Sequence, residues 1–300
     1  MIELQQITVQ FGTKQVLQNI SMTFHKGEII GLVAPNGTGK STLMNVMMNY
    51  VKPHQGRVIL QEKWQYTTKK NEVYIHQQMS MMPDQSDLYP HLSGKEHLKM
   101  YSVMWGSSPS LIEKTIEQLG MASYVNKKTG TYSLGMRQRL CFAMQIVADT
   151  SIMLMDEVMN GLDPTHVELI SQILLQKKAE GKTIIIASHL LENLEKYADR
   201  IFFLVGGQLQ LAADLLPLVA TTAKATIRME DATTQLAKAL TQQFVNSDVQ
   251  TLPNGTTLCY LSQASNHSVG EIIDFLQGHQ VTNIHVGPIT LQDLYSLYFQ

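Results

Sequence analysis

Apolar residues in the first 60 positions follow two rhythms. Ile2, Leu4, Ile7 and Val9 ahead of Phe11-Gly12, and then Val16, Leu17 and residues 20–24, alternate with polar positions, which predicts two half-buried strands joined by a polar turn. Residues 29–33 are instead continuously apolar, as in a buried strand. They break into Ala34-Pro35-Asn36-Gly37-Thr38-Gly39-Lys40-Ser41-Thr42 before Leu43, Val46 and Met47 resume at helical spacing. Pro53, Gly56, residues 58–60, a polar segment to Tyr74-Ile75 and residues 79–82 read as further short strands and turns. Ser93-Gly94-Lys95-Glu96 has capping-box spacing and opens a helix with Leu98, Tyr101 and Val103, and a mostly helical insert continues to Gly120. Leu140, Ala143, Met144 and Val147 predict another helix behind a glycine-containing turn.

Residues 152–155 and 183–187 have the length and continuity of buried parallel strands. Between them lie the tight turn Asn160-Gly161-Leu162-Asp163-Pro164 and a helix carrying Val167, Ile170, Ile173 and Leu174; residues 201–205, ending in Gly206-Gly207, complete the series. Residues 208–225 read as a linker. Beyond it the pattern is strand 225–229, helix 233–245, strand 248–252, a hairpin at Asn254-Gly255, strand 256–261, a helix capped by Ser268, strand 281–286 and a final amphipathic helix 290–299. That βαββαβ order with an added helix predicts a small ferredoxin-like domain.

The chemistry gathers at strand ends. Gly37 and Gly39 let the backbone aim successive N–H groups inward, and the following helix adds its positive dipole end, which predicts a phosphate-binding loop; the alternative for the short pattern alone is a glycine-rich strand-to-helix turn with no ligand. Lys40 would reach the β- and γ-phosphates and the Ser41 hydroxyl would hold Mg²⁺. The pattern G-x-x-x-x-G-K-[ST] asks for Gly where this chain has Ala34, which follows if φ there is negative or the loop absorbs modest strain. Asp156-Glu157 end a buried strand, where Asp156 would complete the Mg²⁺ shell and Glu157 would polarise an attacking water. His189 ends another such strand; it would donate to a terminal phosphate or be a locally satisfied polar residue. Phe11 reads equally as a face for a nucleotide base and as a core aromatic.

Composition narrows the classes. With 300 residues, 44% of them apolar, the chain can bury a large core and a second, smaller one. Its 23 basic and 25 acidic residues nearly cancel, so nucleic acid is not an expected partner. Cys141 and Cys259 lack metal-ligand spacing and read as core residues in a reducing compartment. No signal segment and no apolar run of the roughly 18 residues a membrane span needs is evident, so the chain by itself is expected to be soluble and cytoplasmic.

Over about residues 1–212 these separated motifs, in this order, resemble the nucleotide-binding subunit of ABC transporters. The resemblance implies an α/β P-loop NTPase domain over 1–212 with a mixed sheet, a helical subdomain near 86–150, and an accessory domain over 213–300. It assigns Phe11 to adenine stacking, and Asn36, Gly37, Thr38, Gly39, Lys40, Ser41 and Thr42 to the Walker A loop. Tyr132-Ser133-Leu134-Gly135-Met136 matches the signature, residues 152–157 Walker B, residues 160–163 with Asp163 the D-loop, and His189 the switch histidine. The activity it implies is ATP hydrolysis, with Mg²⁺ held by Ser41, Asp156 and Asp84, and with Glu157 and His189 as catalytic groups. The implied assembly is a head-to-tail homodimer in which Ser133 and Gly135 close on nucleotide held by the other subunit. A separate transmembrane permease would hold that dimer on the inner face of the cell membrane. Asp84 stands where the family has Gln or Glu; Leu134 and Met136 replace a signature Gly and Gln, and Val158-Met159 a Pro-Thr pair. The signature, residues 88–93 and the tail resemble exporters of peptides or drugs, notably bacteriocin and lantibiotic self-protection systems; residues 89–98 correspond to the permease-facing surface. A soluble ABC-type ATPase acting on ribosomes or DNA is the alternative, though such proteins usually join two ATPase halves or carry long coiled coils. A simple P-loop kinase or switch leaves residues 133–136 and 160–163 unexplained.

Overall fold

In the computed structural model, which describes residues 1–299 except 190, 217–219, 221, 222 and 231, the two alternating segments become β1 (Ile2–Phe11) and β2 (Lys14–Phe24), paired antiparallel. Their inward positions, Ile2, Leu4, Ile7 and Val9 among them, are covered, as a sheet with one wet face requires. β3 (Ile29–Val33) enters a second sheet, while β4 (Gln55–Leu60) and β5 (Trp64–Gln65) return to the first, in the order β2-β1-β4-β5. Where β1 shifts register against β4, Gln6 takes φ 52° and Gly56 φ 88°. A Cβ on Gly56 would lie 2.3 Å from the Gln5 carbonyl oxygen, so only glycine fits this bulge.

The second sheet adds β6 (Met79–Met81), β7 (Ile152–Asp156), β8 (Thr183–Ala187), β9 (Arg200–Val205) and β10 (Gln208–Leu211), in the order β10-β9-β3-β8-β7-β6. Every pairing from β9 to β6 is parallel. β3 and β8 are buried at every residue, which is why they carry no polar alternation. Leu32 and Asp156 both stand opposite Ala187, so the carboxyl ends of β3, β8 and β7 finish level. The helices of this part are α1 (Lys40–Met47), α2 (Lys69–Gln78), α3 (Gly94–Trp105), α4 (Ser110–Gln118), α5 (Leu134–Ala148), α6 (Pro164–Ala179) and α7 (Leu191–Tyr197). Ser93 and Glu96 form the expected capping box on α3.

Several readings of the pattern change. Residues 69–78 are a helix rather than strand and turn: Thr68 caps it by accepting from Asn71 N, and because only Ile75 is buried no apolar stripe announced it. Val103 is 82% exposed; α3 packs through Gly94, His97, Leu98 and Ser102 instead. Phe11 is 54% exposed and so is no core aromatic. The expected linker is partly ordered into β10 and a short 3₁₀ turn at Ala212–Leu215, and its residues 217–219, 221 and 222 lie outside those described. Cys141 and Cys259 are fully buried, which pushes their thiols up to about 12 and about 11.

The chain divides into two compact units, Met1–Leu209 and Gln210–Gln300. The second holds β11 (Ala223–Met229), α8 (Thr234–Gln243), β12 (Ser247–Thr251), β13 (Thr257–Ser262), α9 (Val269–Gly278), β14 (Ile284–Val286) and α10 (Leu291–Phe299). Its sheet runs β12-β13-β11-β14, antiparallel throughout. Ile227, Met229, Cys259 and Leu261 pack on one face with Leu236, Leu240, Ile272 and Leu276 of α8 and α9. The expected strand 281–286 shortens to three residues, Ile284–Val286, and Val281 packs in that core. Arg228 pairs with Asp293 of α10, Nε donating to Oδ1 at 3.1 Å, and Thr290 N and Oγ1 donate to Asp293 Oδ2 at 2.9 and 2.8 Å. Asp293 is 3% exposed, so its loss would strand a partly covered guanidinium. Asp293→Ala is expected to destabilise this unit by about 3 kcal/mol, read as an earlier urea transition of the full chain; an unchanged midpoint would show that α10 contributes nothing through this pair.

Candidate active site

The loop between β3 and α1 is wound around its own lysine. Lys40 is 6% exposed, and its Nζ donates to the carbonyls of Ala34 (2.6 Å) and Pro35 (3.2 Å), while Thr38 Oγ1 donates to Pro35 O (2.7 Å). Gly37 and Gly39 take φ 76° and 120°, and a Cβ on Gly39 would meet Val16 Cγ1 at 2.8 Å. Ala34 is buried and is not among the residues of positive φ, so the departure from glycine there carries no backbone strain.

Level strand ends bring three further residues to this loop. Ser41 Oγ donates to Asp156 Oδ2 at 2.5 Å, joining the start of α1 to the end of β7. Next along, Glu157 has φ 51° and donates its N–H to Ala187 O (2.9 Å). Its Oε2 is buried; His189 Nδ1 stands 2.8 Å away, but outside hydrogen-bonding geometry. Asn36, Gly37, Gly39 and Lys40, with Asp156 and Glu157, line a cavity of about 220 Å³. Burial lowers the Lys40 pKa against the opposing pull of Glu157 and Asp156, and burial raises that of Asp156 despite the Ser41 hydrogen bond. A poorly solvated carboxylate and a hydroxyl at an oxygen-lined opening suit a hard divalent cation, and N–H groups at a helix start suit phosphate.

The other expected residues lie apart from this cavity. Ser133 caps α5 by accepting from Met136 N, and Gly135 faces Gly161 O; neither lines the cavity among the described residues. Leu134 is 54% exposed beside Gly161. Asp163 caps α6, and hydrogen bonds from His166 hold its carboxyl below the usual range. Asp84 accepts from Ser86 N in a capping box with Asp87, which lowers its pKa, so its carboxylate serves its own turn. It nonetheless lines, with Asp156 and Glu157, a larger cavity of about 670 Å³ walled by Met81, Met100, Met104 and Tyr101. Val158 and Met159 are buried, which explains an apolar pair after Glu157.

Two buried amides on α5 went unread. Gln138 Nε2 donates to the carbonyls of Glu157 (3.0 Å) and Val158 (2.8 Å), and its Oε1 accepts from Gln85 Nε2 (2.5 Å). Gln145, seven residues on, donates to Ser80 O of β6 (3.2 Å). Their signal was a polar residue on the buried face of an apolar helix.

Asp156 tests the electrostatics. Its pKa is raised on folding, so its neutral form is favoured in the folded state, and that advantage is lost as pH rises through the folded value. Asp156→Asn keeps an acceptor for Ser41 without the charge and is expected to raise the melting temperature of the nucleotide-free protein by a few degrees at neutral pH. The gain should shrink as pH falls into the ordinary carboxylate range; a neutral or destabilising effect at pH 7 would refute the desolvation argument.

The profile of the ABC transporter family matches residues 17–160. The chain is 31% identical over 299 residues to the bacitracin transport ATP-binding protein BcrA of Enterococcus faecalis, covering 98% of this chain and 95% of that protein. It is 30% identical over 212 residues to the lantibiotic transport ATP-binding protein SrtF of Streptococcus pyogenes, covering 70% and 90%. Its fold matches the dimeric structure of a post-hydrolysis state of the ATP-binding cassette MJ0796 bound to ADP and Pi, with TM-score 0.61 and 24% identity over 70% of this chain and 97% of that one. The chain belongs to the ATP-binding proteins of ABC transporters and is a nucleotide-binding ATPase.

Proposed function

We propose that this ATPase powers export of a peptide antibiotic, bacteriocin or drug through a separate membrane permease, which holds it at the inner face of the cell membrane. The observation that carries the catalytic part is the Ser41–Asp156 hydrogen bond at the mouth of the loop, with Glu157 and His189 beside it. Lys40 exchanges its two loop carbonyls for the β- and γ-phosphates, and the N–H groups of residues 36–42 cradle them. Bound Mg²⁺ would supply positive charge against that of the terminal phosphates. Ser41 and Asp156 would hold it, with Asp84 reaching in from the neighbouring turn. Glu157 orients and deprotonates the attacking water, and His189 donates toward the terminal phosphate. Phe11 offers its exposed face to the adenine.

Two copies would close head to tail, Ser133 and Gly135 of one meeting nucleotide on the other. Support comes from their separation from the chain's own cavity and from the dimeric cassette among its structural relatives. Among the described residues no helix is long and apolar enough to cross a membrane, which fits a permease carried on another chain. Residues 89–98 and the adjacent methionine-walled cavity would receive it, since methionine adapts to a partner's surface. Relatives whose names specify bacitracin and lantibiotic transport support the substrate class. The strand order of the second unit supports a ferredoxin-like accessory domain spanning the residues after 212.

Purification from native membranes should bring a permease with this chain; recovery with ribosomes or DNA instead would overturn the transport reading. Glu157→Gln is expected to lower turnover by about 10²–10⁴-fold while ATP still binds, and near-normal phosphate release would refute its role. Lys40→Ala should weaken ATP affinity by about tenfold or more in direct titration, since it removes a charge-assisted contact. Mixing Lys40→Ala with Ser133→Arg checks the shared site. Neither alone should turn over, but one site of the mixed dimer combines an intact loop with an intact signature, so partial activity should return. Full activity in a demonstrably monomeric preparation would reject the arrangement.

A further inference from the structure

Glu157 is held chiefly through its backbone. Its φ of 51° lies in the left-handed region, which a glutamate occupies only where the surroundings impose it. The N–H is fixed on Ala187 O of β8, and the carbonyl accepts from Gln138 Nε2 and from Asn160 N (3.1 Å). Gln138 belongs to α5, five residues beyond the Ser133 cap, and is 4% exposed. One side-chain amide therefore spans three segments: its NH₂ grips the consecutive carbonyls of Glu157 and Val158, and its oxygen takes the Gln85 amide. Gln85 is half-buried and opens the 3₁₀ turn that Asp84 caps. A buried amide left partly unpaired is costly, so these contacts define one geometry and resist intermediate ones.

We propose that Gln138 is a positioning residue for ATP hydrolysis, holding Glu157 in its left-handed conformation and tying that conformation to the 84–87 turn through Gln85. The inference rests on Glu157 being the group that acts on water. A shift of the turn pulls the Gln85 amide from Gln138, frees the carbonyls of residues 157 and 158, and lets the carboxylate leave the line of attack. Among the described residues the hydrogen bonds of the Gln138 side chain reach none of residues 34–42, so its loss falls on turnover and leaves nucleotide binding intact.

The test uses the full chain and measures ATP turnover, ATP affinity and secondary structure together. Gln138→Met keeps length and volume but no donor; kcat is expected to fall about tenfold or more, with ATP Kd and KM within about twofold of wild type. Gln85→Ala, at a half-exposed turn, is expected to lower kcat by about fivefold, as for one hydrogen bond. Combined with Gln138→Met it should lower kcat no further, since both act along one set of contacts. A Gln138→Met protein with kcat within about twofold of wild type, a parallel loss of ATP affinity, or additive effects in the double variant overturns the proposal. Should Gln138→Met fail to fold, Gln85→Ala decides alone, unchanged kcat being the overturning result. Glu157→Gln is assayed beside them: retained turnover overturns the reading of Glu157 and this inference with it, whereas lost turnover with an unaffected Gln138→Met overturns the inference alone.

Discussion

Three parallel strands that finish at the same height impose most of what is distinctive here. Because Leu32 and Asp156 both align with Ala187, the chain leaving β3, β7 and β8 emerges in one small region, and whatever residues come next become neighbours. A lysine and a serine arrive there from one stretch of sequence, and two acids and a histidine from more than a hundred positions further on. The cost is poor solvation of charge, seen in opposite directions on Lys40 and Asp156. Local hydrogen bonds offset this for Lys40 and Asp156: two carbonyls for the lysine and a serine hydroxyl for the aspartate.

α5 is the second organising element. Ser133 caps its start, Gln138 and Gln145 fasten one face to the turn after β7 and to β6, and its end is closed by Asp149 in a left-handed conformation (φ 51°). Lys182 and Lys177 hold the Asp149 carboxylate at 2.9 and 3.6 Å. The Gln138 and Gln145 contacts therefore tie one face of α5 to the turn after β7 and to β6. The exposed Leu134 and the buried Gln138 thus belong to the same helix.

The parallel core and the loop were legible because their signals are local. Continuous apolar runs name buried strands, and glycines after a buried strand name a tight turn into a helix. The helix at residues 69–78 was hidden because it buries little and is defined by the Thr68 cap and aromatic contacts such as Trp64 with Tyr74. Gln138 was hidden for a different reason: it lies two residues past a recognisable motif, and its partners come from two loops that are distant in sequence. Phe11 read equally well as core and as exposed face, since a single aromatic at a strand end carries no periodicity; only the folded chain shows its exposure. Ala34 posed a question that only its backbone angle could answer.

The folded-back lysine has a consequence for how tightly a ligand can be held. With Nζ already satisfied by the Ala34 and Pro35 carbonyls, the loop would hold, on the proposed role of Lys40, an internal competitor for an arriving phosphate. A ligand gains only the difference between its own contact and the two it displaces. On the proposed role of Lys40, the same carbonyls would take the ammonium back as nucleotide leaves, an exchange of partners built into the loop's own geometry.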